Sequence, residues 1–164
     1  MRNQTKMELE ALLDGYRRKQ QETKRKQDQE QYELELYLDD FKDLRERVIR
    51  PVMEEMGSIL EENGHDYKIK EREYSMDKKA FALEALIEFK IFPRGNEAEF
   101  YAENHPSVMF GSDVASQKIK VHGSYVMPER RGERELIRTY GISEITADIV
   151  EKEILEILTK AFKG

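Results

Sequence analysis

The chain has 164 residues, of which 38% are apolar and 38% charged, with a formal net charge of −6 and no cysteine. That length suits one domain of ordinary size with a modest core, and the surplus charge must sit on a segment that buries little. The missing cysteines exclude disulfides, thiolate nucleophiles and zinc ribbons, and no apolar run reaches the roughly 18 residues of a membrane-spanning helix.

The first nineteen residues, MRNQTKMELEALLDGYRRK, lack the uninterrupted apolar region of a secretory signal. A soluble, cytoplasmic protein is expected. Within residues 6–16, Leu9, Leu12, Leu13 and Tyr16 share one helical face, and Gly15 weakens the helix. Residues 17–31 are almost wholly polar. Six basic residues fall here, Arg17, Arg18, Lys19, Lys24, Arg25 and Lys26, a local basic patch on an acidic protein. Good helix formers without an apolar stripe read as a solvated helix or a flexible arm, and the missing seam argues against a continuous dimeric coiled coil. Residues 1–31 are therefore set apart as a polar helical arm or flexible extension, and residues 32–164 as an α+β two-layer domain.

From Leu34 the helical period returns through Tyr37, Leu38, Phe41, Leu44 and Val48, then Ile49, Val52, Met53, Met56, Ile59 and Leu60. Tyr32, Leu34, Leu36 and Leu38 also alternate like a strand, but the three-and-four pattern persists for roughly eight turns and predicts a helix. Pro51 removes a backbone donor, so a kink or restart is expected near Arg50. Gly64 after Asn63 suits a left-handed helix cap.

After His65 the period becomes two. Residues 65–74 predict a strand with Tyr67 and Ile69 on one face. Phe81, Leu83, Ala85, Ile87, Phe89 and Ile91 alternate without a miss and predict a second, although the Ala, Leu, Glu and Lys content of this stretch also favours helix. Residues 93–96 predict a hairpin turn, residues 97–103 a third strand, residues 108–110 a short fourth, and Gly111, Ser112 and Asp113 a turn. Residues 117–127 predict a fifth, with Ile119, Val121, Gly123 and Tyr125 on one face, and Gly123 marks a bulge or close backbone approach. Residues 128–141 read as a long charged loop.

The last stretch, ISEITADIVEKEILEILTKAFKG, is the clearest helix. Ile145, Ile149, Val150, Ile154, Ile157, Leu158, Ala161 and Phe162 make one stripe, Thr146 can cap the helix, and Ile145 can staple onto Val150. The fold class is α+β: a long N-terminal helical region, a four- to five-stranded antiparallel meander, and a C-terminal amphipathic helix packed on the sheet.

No motif for catalysis, metal or nucleotide binding stands out. His65, His105 and His122 lack paired ligand spacing, so no metal and no cofactor are expected, and His122 reads as a surface residue on a polar strand face. The strand carboxylates, Glu71, Glu73, Glu84, Glu88, Glu97 and Glu99, fall on a face expected to be wet. Ser75 and Lys78 match Ser-x-x-Lys only by letters, without companion motifs. Arg130, Arg131, Arg134 and Arg138 are interleaved with acids and locally near neutral. Leu86, Phe92, Tyr101, Ala82 and Met109 fall opposite the main apolar set and would form a second apolar surface if the sheet is covered on one side only. The favoured expectation is a non-catalytic protein-interaction module, a homo-oligomer or protein-partner binder, with Leu9, Leu12, Leu13 and Tyr16 at the contact. The runner-up is a polyanion or nucleic-acid binder using the six basic residues at 17–26. A small hydrolase or lyase using carboxylates and histidines ranks third.

Overall fold

The computed structural model describes residues 2–77, 81–94, 105–124 and 135–163. Helix α1 runs Asn3–Leu44, a five-residue π turn follows at Arg45–Ile49, and α2 runs Arg50–Glu62. Residues 17–31 are thus helical. Pro51, at the start of α2, has no N–H to give to the preceding turn. The chain adapts upstream, where the Arg50 N–H reaches back to the Arg45 carbonyl, one residue beyond the α-helical partner. The restart expected near Arg50 is this π turn. At the other end Gly64 adopts φ +85°, and the His65 N–H caps the Leu60 carbonyl at 2.9 Å.

Five strands form one antiparallel sheet in the order β1-β4-β5-β6-β7, with β1 at Asp66–Arg72, β4 at Leu86–Phe92, β5 at Ser107–Asp113, β6 at Lys118–Ser124 and β7 at Glu135–Gly141. Between β1 and β4 a small hairpin, β2 (Ser75–Met76) and β3 (Ala82–Leu83), pairs only with itself. Helix α3 runs Ala147–Lys163 and packs with α2 on one face of the sheet. The architecture is α+β.

The chain divides into two compact units, Met1–Leu36 and Tyr37–Gly164. In the second, Phe41, Ile49 and Met53 from the first helical run and Val150, Ile154 and Ile157 from α3 bury against Ile87, Phe89, Ile91, Val108, Phe110, Ile119 and Val121 of the sheet. Alternation places these strand residues on one face, and apolar burial drives the layers together. Two glycines set the spacing. A Cβ on Gly57 would lie 2.6 Å from Cε1 of the Tyr67 ring, and a Cβ on Gly123 would lie 2.6 Å from Ile157 Cδ1. Gly123 is therefore a close backbone approach, and the bulge in the β6–β7 pair lies next to it, between Val121 and His122. Thr146 caps α3, its hydroxyl oxygen accepting the Ile149 N–H at 3.3 Å, with Ile145 and Val150 buried on either side.

Several expectations need correction. The run from Phe81 to Ile91 is extended but breaks at Glu84. There the Ala85 carbonyl accepts the Ser112 N–H at 2.8 Å and the Glu84 carboxylate accepts the Ser112 hydroxyl at 2.8 Å, which turns the chain into the sheet. Phe81 and Leu83 are left exposed on the small hairpin. Gly111, Ser112 and Asp113 lie inside β5, and the turn comes at residues 114–117, where Gln117 takes φ 55°. Residues 135–141 form a strand, not a loop. Leu86 is buried and Phe92 and Met109 are half-buried, so they form no exposed apolar surface, while Ala82 is exposed on β3. Glu88 is only 2% exposed, so its face is not wet there, and His122 is half-buried. Phe162, at the end of the α3 stripe, is exposed. The strand expected at 97–103, part of the turn at 93–96, Tyr101, Tyr125, Arg130, Arg131 and Arg134 lie outside the described residues.

Candidate interaction surface

Within the first unit, spacing of three and four puts Leu9, Leu12, Leu13 and Tyr16 side by side on α1. They are 45%, 70%, 52% and 62% exposed. Gly15 lies among them with nothing within 4 Å of a would-be Cβ, and a notch of about 520 Å³ opens beside Ala11, Leu12, Tyr16 and Lys19. Lone surface leucines are ordinary. A contiguous apolar face on a helical segment whose neighbours, up to Leu36, are none of them buried is not, because it leaves the hydrophobic term unsatisfied.

The six basic residues follow on the same helix. Arg17 pairs with Asp14 at 3.8 Å and Arg25 with Glu22 at 3.7 Å. At 3.6 residues per turn, positions 17 and 24, 18 and 25, and 19 and 26 fall on three separate lines spread over about 200° of the helix. No single face gathers them, which weakens a phosphate-tracking surface.

The second unit carries a groove of about 860 Å³ between α2 and α3. Met56 and Ile59 line it from α2 and Leu155 from α3; Ile59 is 55% and Leu155 59% exposed. Glu55, Asp148, Glu151 and Glu156 stand around it with Lys152 and Lys160. The signal in the sequence was Leu155, an apolar residue off the main stripe of α3, together with Ile59 at the margin of the α2 stripe.

The buried charges are committed to structure. Glu153, fully buried on the α3 stripe, accepts two hydrogen bonds from Arg138 Nη1 at 2.8 and 2.9 Å and one from the Tyr140 hydroxyl at 2.5 Å, and Glu156 accepts from the same guanidinium at 3.0 Å. These acids hold the Arg138 pKa well above its usual value, Glu156 most of all. Partial burial, then the bond to Glu153, pushes Tyr140 up to about 12. This network fastens edge strand β7 to α3. Arg45, buried in the π turn, donates to the Arg72 carbonyl at 3.3 Å and to Glu73, with Glu71 at 3.8 Å. Sequence periodicity missed both arginines because each is a charge on an inner face.

The face of the sheet away from the helices places Lys70, Glu88, Met109 and His122 in one row across β1, β4, β5 and β6. The His105 ring meets that of Phe92 at a tilt of 57°, with centroids 4.2 Å apart, and burial, with Lys90 nearby, lowers its pKa. His65 instead accepts the Arg94 N–H at 3.0 Å. Among the described residues no three histidine or carboxylate side chains gather as a metal site. The expected contact residues therefore come together on one helical face, the expected basic residues do not, and among the described residues no helix is long and apolar enough to cross a membrane.

Comparison with known proteins adds no family. No family model matches the chain, and no curated protein or solved structure is significantly similar to it.

Proposed function

We propose that this protein is a non-catalytic interaction module that self-associates, with Leu9, Leu12, Leu13 and Tyr16 at the contact. The observation that carries the reading is the exposure of four adjacent large apolar side chains on one face of α1. A helix of this kind gains by covering that face with another apolar surface, at about 25 cal/mol per Å² removed from water. The buried acid Glu153 and the half-buried Glu84 support a non-catalytic reading, since both are already hydrogen-bonded. A chain without cysteine suits a reducing compartment such as the cytoplasm.

The test is sedimentation of the full chain over a wide concentration range, beside the double variant Leu12→Lys/Leu13→Lys. The wild type should shift toward a dimer or larger species as concentration rises, and the variant should stay monomeric with unchanged helical circular dichroism. A wild type that remains monomeric throughout rejects the proposal. The second reading, polyanion binding, draws on Arg17, Arg18, Lys19, Lys24, Arg25 and Lys26. It calls for binding to mixed DNA or RNA that falls steeply with salt and is lost when Arg17, Arg18, Lys24 and Arg25 become Gln.

A further inference from the structure

The groove between α2 and α3 and the stripe on α1 are complementary in chemistry. We infer that the groove of one copy receives residues 9–19 of a second copy, an inference that rests on the self-association proposed above and names the receiving surface. The apolar floor of Met56, Ile59 and Leu155 faces outward between the helices. Each surface is exposed within its own unit, Leu12 at 70% and Leu155 at 59%.

Size and charge agree. Ten helical steps from Leu9 to Lys19 span about 15 Å, and twelve from Asp148 to Lys160, the length of α3 along the groove, span about 18 Å. An amphipathic helix laid in an apolar groove is a common recognition mode, and a stripe at positions 9, 12, 13 and 16 has the required spacing. Around the groove stand four acids against two lysines. Among the described residues no ion pair engages Glu55, Asp148 or Glu151, whereas Glu156 is held by Arg138. The incoming segment ends in Arg17, Arg18 and Lys19. Acid around the groove and base on the helix steer the encounter and set its direction. The notch at Gly15 gives an exposed leucine such as Leu155 a place to enter.

The experiment uses full-length chains and a complementation design. Leu12→Lys spoils the entering helix and Leu155→Lys spoils the groove; both positions are exposed, so each variant should fold, as circular dichroism will verify. Ile59→Lys serves as a second groove variant from the opposite helix. By sedimentation equilibrium each single variant should weaken self-association at least about tenfold, the effect of losing roughly one buried apolar side chain. An equimolar mixture of Leu12→Lys and Leu155→Lys should associate more tightly than either alone, because it retains one contact between an intact helix and an intact groove. If Leu12→Lys weakens association while Leu155→Lys and Ile59→Lys leave it unchanged, self-association stands and the groove is not the receiver. A mixture that associates no more tightly than its components also rules out the groove as receiver. A wild type that is monomeric at every concentration removes both proposals together.

Discussion

Substituting Gly123→Ala tests where α3 lies on the sheet. The added methyl would sit 2.6 Å from Ile157 Cδ1 and closer still to Ile137 Cδ1, against about 3.5–4.0 Å for carbon atoms in comfortable contact. Each δ-methyl must therefore move by about an ångström, which an off-minimum χ angle permits at about 0.5–1.5 kcal/mol apiece. Together they cost about 1–3 kcal/mol, in the usual range for overpacking. Replacing glycine returns about 0.4–1 kcal/mol through the less flexible unfolded chain. The net loss should lie between about 0 and 2.5 kcal/mol, a fall in Tm of up to about 5–10 °C for a domain of this size. Because the two closest atoms are both Cδ1, Ile137→Val and Ile157→Val each delete one, leaving Ile157 Cγ1 at 3.3 Å with only a few tenths of an ångström to give. In the double-valine background, which alone is less stable by about 1–3 kcal/mol, Gly123→Ala should cost nothing or stabilise slightly. Urea unfolding of the four proteins closes the cycle, with a coupling of at least about 1 kcal/mol expected. An equal cost in both backgrounds would mean that Gly123 does not lie beneath Ile157, and the placement of α3 over β6 would be wrong.

Two further outcomes follow from the buried polar groups. Burial pushes the Tyr37 phenol from 10.0 to about 12, with Glu84 and Asp113 adding to the rise against the bond from the Asp113 N–H. The folded state thus holds the proton more tightly than the unfolded chain. The stabilisation is complete below about pH 10 and is lost as pH climbs toward about 12, amounting to about 2–3 kcal/mol. Urea unfolding between about pH 9 and 11.5 should show this loss in the wild type and a shallower one in Tyr37→Phe, the remaining slope including Tyr140; identical slopes would remove the buried-phenol explanation. Glu153→Gln places an amide where two Arg138 hydrogen bonds and one from Tyr140 now end. Breaking a buried pair costs about 3–5 kcal/mol, reduced to about 2–3 here because Arg138 is partly solvated. A loss under about 0.5 kcal/mol on denaturant unfolding would show that the network does not hold β7.

Local pattern made much of this protein legible. The stripe from Ile145 to Ile157 and the alternation of Ile87, Phe89 and Ile91 announce one buried face each, because a side chain's direction repeats with the geometry of its own element. Pro51, Gly64 and Thr146 mark their turns for equally local reasons, a missing donor, a left-handed φ and a capping hydroxyl. The apolar face at Leu9, Leu12, Leu13 and Tyr16 could be read in the same way, since the polar residues 17–31 that follow it offer no apolar stripe to continue it.

Tertiary structure decided the rest. Strand β7 hides in sequence because Arg138 and Tyr140 turn inward, and a charge can do so only when a carboxylate such as Glu153 waits on another element. The break at Glu84 depends on Ser112, 28 residues away. The groove between α2 and α3 exists because two separate helices stand side by side with Ile59 and Leu155 facing out. Periodicity reports what one segment must bury; which polar groups find partners, and which apolar groups are left over, is settled only when distant segments meet.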